Sequence, residues 1–121
     1  MSGQHAYRLV PDRPVLPVVV APEELDIASR DCFHAQLLAA ERSQPTVIVD
    51  MSHTVFCDSS GVQALVRAHN LSAAEGGELR LAGVTRQVSR TLALTGTDRL
   101  FAMFATVEQA RASSGRSRSQ P

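Results

Sequence analysis

The sequence contains no Lys and no Trp. All twelve of its basic residues are Arg, and twelve acidic residues balance them to a formal net charge of zero. That balance excludes the broad basic footprint of a general nucleic-acid binder. The lack of Lys excludes a catalytic Lys and any Walker-type phosphate loop, which ends in Lys. Aromatic residues make up only 4% of the chain, so its core must be aliphatic. No apolar run is long enough to span a membrane. The stretch from Met1 to Arg13 is polar and mixed, unlike a signal peptide, so a cytoplasmic chain is expected, with neither membrane nor nucleic acid as a partner. Cysteine is scarce too: Cys32 and Cys57 fit that compartment as free thiols. His5, His34, His53 and His69 are scattered without zinc-ligand spacing, and neither a metal nor another cofactor is expected.

What is present is enough for one domain. The chain has 121 residues with a hydrophobic fraction of 44%, which suits a single packed core rather than disorder. Tyr7 to Val10 reads as a short strand, and Pro11 to Pro14 as a turn cluster. Val15 to Val20 is rich in β-branched residues, but Pro17 lacks a ladder donor, so this strand belongs at an edge. After Pro22, Glu23-Glu24-Leu25-Asp26 forms a turn. A helix is expected to start at Asp26, which can cap it, with Phe33, Leu37 and Ala40 at helical spacing up to Pro45. Thr46-Val47-Ile48-Val49-Asp50 is a continuous β-branched run, the pattern of a strand covered on both faces.

A loop carrying Phe56 then leads to Cys57-Asp58-Ser59-Ser60-Gly61. A second helix follows to about Ala74, with Val62, Leu65, Val66, His69 and Ala73 as its apolar face. Gly76-Gly77 closes it. Glu78 to Ala82 is the next strand, and Gly83 turns into a helix with Val88 and Leu92 four apart, stopped by Gly96. Leu100 to Phe104 and Thr106 to Ala112 are a last strand and a last helix. The expected domain is 1–112, with a disordered Ser/Arg-rich tail over 113–121. Alternation of strand and helix implies an α/β fold whose sheet is largely parallel. In such sheets, sites lie at the carboxyl ends of strands. The turns Glu23 to Asp26 and Asp58 to Gly61 both qualify.

Asp58-Ser59-Ser60-Gly61 is the informative motif. It feeds a helix, so main-chain N–H groups are free there. Ser60 and Gln63 have capping-box spacing, Asp58 can cap the same end, and Gly61 allows a close backbone approach. All of this could be capping alone. The alternative is that one serine accepts a phosphoryl group, which adds about −1.5 to −2 charges at an end that tolerates anions. Asp58 would add to the negative charge. Cys57 lacks a neighbour that would lower its pKa and is expected to be a buried, inert thiol. His53 or His69 with Ser59 would suggest a serine hydrolase, but the motif lacks the Gly-x-Ser-x-Gly elbow. His69 is expected to pack on the second helix. Phe56 is a candidate anchor for a partner, with a core role as the alternative. Arg116 and Arg118 in the tail are expected to be solvated.

Four anchors in order now carry a family resemblance: Glu24-Leu25-Asp26; Cys57-Asp58-Ser59-Ser60-Gly61 after the strand Val47 to Asp50; Gly76-Gly77-Glu78-Leu79-Arg80-Leu81; and Val88 to Leu94 with Thr95-Gly96. Over roughly Val15 to Ala110 the chain resembles the STAS domains of bacterial anti-sigma-factor antagonists. It departs from them at Pro22-Glu23, where the family has Gly before its Glu-Leu-Asp, and at Thr97, where the family is apolar. The resemblance implies a small mixed, largely parallel sheet flanked by helices, with no enzymatic activity. It implies phosphorylation of Ser59 by an anti-sigma factor that is itself a serine kinase of the histidine-kinase-like ATPase fold. The unphosphorylated form would bind that kinase and free a sigma factor, and a metal-dependent serine phosphatase would reset the system. Asp26, Asp58, Ser60, Gly61 and Phe56 are the expected partner-binding positions around Ser59. The family also implies an alternative, a STAS subunit of a stress-signalling scaffold or of a lipid-transport complex.

Overall fold

The computed structural model describes residues 15–113. The strand expected at Tyr7 to Val10 and the turn at Pro11 to Pro14 lie outside them. The strands are β1 (Val18–Val20), β2 (Glu24–Leu25), β3 (Val47–Asp50), β4 (Phe56–Cys57), β5 (Leu79–Ala82) and β6 (Ala102–Phe104). The α-helices are α1 (Arg30–Ser43), α2 (Ser59–Ala74), α3 (Arg86–Leu94) and α4 (Val107–Ala112). Four strands form one sheet in the order β1-β3-β5-β6, and each neighbouring pair is parallel. β2 and β4 form a second, two-stranded parallel sheet. The expected α/β fold with a largely parallel sheet flanked by helices is the one observed.

Strand periodicity sorts the core into two layers. Val47 and Val49 of β3 join Phe33 and Leu37 of α1, Val62 and Leu65 of α2, and Val88 and Leu92 of α3. Ile48, between them, faces the other way and packs with Ala82 and with Ala110 of α4. The β-branched run is thus covered on both faces, as its composition requires. β1 lies at the edge of the described sheet, and the Pro17 carbonyl accepts from the Ile48 N–H at 2.9 Å. This bond uses the acceptor that proline keeps.

Several expectations need correction. Regular α-helix begins at Arg30, not Asp26. Residues 26–29 form a turn because the Ser29 hydroxyl donates back to the Glu24 carbonyl at 2.7 Å, holding the turn against β2. The residues around Phe56 are a strand rather than a loop, since β2 offers partners for both Phe56 and Cys57. Ala73 is exposed, because the buried stripe of α2 runs through Gly61, Leu65, Ala68 and Ser72. Ser72 is tolerated there since its hydroxyl donates to Glu41 Oε2 at 2.7 Å. The glycines close α2 as expected: Gly76 has φ 86°, and a Cβ on Gly77 would meet the Pro45 backbone at 2.4 Å. Of the tail expected from Ser113 onward only Ser113 is described, and its carbonyl is held by Arg80.

Candidate functional site

The β2–β4 pairing assembles the site. Leu25 is paired with Cys57, so Asp26 and Asp58 leave the ends of adjacent parallel strands, and the Asp58 N–H donates to the Leu25 carbonyl at 3.2 Å. Two segments more than thirty residues apart in sequence therefore meet at one edge. Both aspartates then cap the turns they open. Asp26 Oδ1 accepts from the N–H groups of Ala28 and Ser29, and the Ser29 hydroxyl accepts in return from the Asp26 N–H at 3.1 Å. This is the reciprocal logic of a capping box, legible in the spacing Asp26-x-x-Ser29.

At the second turn, Asp58 has the extended backbone of an N-cap residue, and its Oδ1 accepts from the Gly61 N–H at 3.0 Å. Ser59 and Ser60 are already helical. The expected Ser60–Gln63 capping box therefore does not form, because a side chain caps from the position before the helix and Asp58 holds it. Gly61 is buried, and a Cβ there would lie 2.5 Å from the Leu25 carbonyl oxygen and 2.9 Å from Cys57 Sγ. The glycine thus serves within the chain, letting α2 seat against β2.

Ser59 is exposed and Ser60 half-buried. Neither hydroxyl makes a hydrogen bond among the described residues, and Asp26 does not bond to Ser59. Phe56 is 47% exposed and pairs in register with the exposed Glu24. Ile27 and Val55 are exposed as well, so apolar surface flanks the turn. Cys57 is buried beneath it. Burial, and secondarily the charge of Asp58, push its thiol up to about 11.

The support behind the turn was not foreseen. Buried Thr54 donates to the Pro22 carbonyl at 2.8 Å, and Thr85 donates to the Thr54 carbonyl at 2.9 Å. The N–H groups of Val55 and Phe56 both donate to the Glu23 carbonyl. These bonds tie the segment before the motif to β2 on one side and to α3 on the other. A threonine in a polar loop carries no sequence signal for that role. His69 packs edge-on to Phe101 at 5.6 Å and accepts from the Leu79 N–H, and His53 lies on the exposed loop. The described residues contain no group of three or more His, Cys, Asp or Glu able to hold a metal. No helix among them is long and apolar enough to cross a membrane.

A turn built this way presents a free serine hydroxyl on a rigid helix start, beside a one-sided apolar patch. A profile of the STAS domain matches residues 7–110, and the chain belongs to the STAS domain family. Solved structures of three functional kinds superpose on it. The anti-sigma factor antagonist SpoIIAA in its unphosphorylated form is 25% identical, with a TM-score of 0.66 over 77% of this chain and 82% of that one. A component of the stressosome, a signal integration and transduction hub, is also 25% identical, with a TM-score of 0.62 over 78% and 90%. A sulfate transporter family protein of Wolinella succinogenes is 19% identical, with a TM-score of 0.71 over 88% of each chain, and shares the fold. No curated protein matches the chain by sequence.

Proposed function

We propose that this protein is a phosphorylation-switched antagonist of an anti-sigma factor. In its unmodified form it binds an anti-sigma factor that is also a serine kinase of the histidine-kinase-like ATPase fold, and so frees a sigma factor. Phosphorylation of Ser59 ends that binding, and a serine phosphatase restores it. The chain itself acts in the cytoplasm, without catalysis. The observation that carries this reading is the Ser59 hydroxyl: exposed, unpartnered and directly after an aspartate already committed to capping. The likeness to SpoIIAA supports it. The partner would cover Phe56 and the turn, with Asp26 and Asp58 holding the surface in shape and Ser60 beside it.

The switch follows from charge. Unmodified Ser59 is small and neutral, so a partner can pack over it. A phosphate there has Asp58 as its sequence neighbour and no Arg within the turn. A charge forced unpaired into an interface costs about 2–5 kcal/mol, a weakening of roughly 30-fold to several thousand-fold. Incubation with the kinase and labelled ATP is expected to place one phosphate on Ser59. Ser59→Ala is expected to bind the kinase and resist release by ATP, and Ser59→Asp to keep its fold, by circular dichroism, while binding much more weakly by calorimetry. Undiminished binding of enzymatically phosphorylated protein would sink the electrostatic switch.

A second reading has specific support. The stressosome component and the sulfate transporter protein share this fold, so a STAS module of a stress-signalling scaffold or of a transport complex, lipid transport included, is the alternative. A pull-down of the unphosphorylated chain separates the two: an ATPase-fold kinase supports antagonism, and other STAS proteins or a transporter support the scaffold.

A further inference from the structure

We draw no further inference here: the strongest candidate, the outward surface patch of α3 on which Arg86, Arg90 and Leu94 are exposed, carries nothing because nothing in the structure shows what covers it.

Discussion

Two polar regions of this molecule are built on opposite terms. Beneath α4, Arg80 is 3% exposed, and its guanidinium is held from several sides. Its Nε donates to Glu78 Oε2 at 2.9 Å, its Nη1 donates to the carbonyls of Ala110 and Ser113 at 2.7 and 2.9 Å, and its guanidinium lies 6.0 Å from the Phe104 ring centroid. At the start of α2 the main chain is equally well held, by Asp58, Thr54 and the β2–β4 pairing, yet the Ser59 hydroxyl is left without a partner. A buried ion must be satisfied because its desolvation cost is several kcal/mol. A surface hydroxyl has water, so nothing in folding demands a partner for it. The saturated region locks the last helix to the sheet. The unsaturated one has its main chain tied down while the Ser59 hydroxyl stays exposed.

Breaking the saturated region should cost most. Arg80→Ala is expected to lose about 3–5 kcal/mol in denaturant melts, since it strands the Glu78 carboxylate and two helix-end carbonyls. The double variant Glu78→Gln/Arg80→Met is expected to cost less than the single one, because no buried charge is left over. Equal losses would mean that the lock is packing rather than charge.

Next comes the seat of α2 on β2. Gly61→Ala drives a methyl against the Leu25 carbonyl, and a loss of about 1–3 kcal/mol is expected, with larger chemical-shift changes around Leu25 and Cys57 than around Arg80.

The Cys57 thiol tests whether the underside of the turn is as dry as the Arg80 lock. Its pKa is raised from 9.0 in the free side chain to about 11 in the fold, so the native state holds its proton longer than the unfolded state does. The stability this protects is intact below about pH 9 and falls as pH rises toward 11. The loss is on the order of 2 kcal/mol. Melts of wild type and Cys57→Ala across that window should converge, and parallel curves would place water beside the thiol.

The smallest effects divide the motif itself. Asp58→Ala is expected to cost about 0.5–2 kcal/mol as a lost cap, whereas Ser59→Ala and Ser60→Ala should each stay within about 0.5 kcal/mol. A large loss at Ser59 in the same melts would erase the contrast between the two regions.

Much of this was legible in the residues. The β-branched run over Val47 to Val49 could only be a strand covered on both faces. Gly76-Gly77 could only end a helix, and Asp58 followed by two serines and a glycine announced a helix start. The choice among caps was harder, because Asp58 and Ser60 both have the chemistry, and only the backbone conformation says which one precedes the helix. The start of α1 was misjudged for a related reason. Asp26 does cap a turn, but the Ser29 hydroxyl reaches back to Glu24 and delays the regular helix to Arg30.

What the sequence determined by itself is local: periodicity, capping chemistry and the glycines, each a matter of a few neighbouring residues and their conformational preferences. What the tertiary structure decided is which of these local pieces meet. Glu24–Leu25 and Phe56–Cys57 are two-residue strands with no periodicity of their own, and only their mutual pairing makes them a sheet and brings Asp26 beside Asp58. The meeting of Arg80 with the end of α4 arises in the same way. A contact between distant segments depends on how whole elements pack, and pairwise spacing along the chain does not encode that.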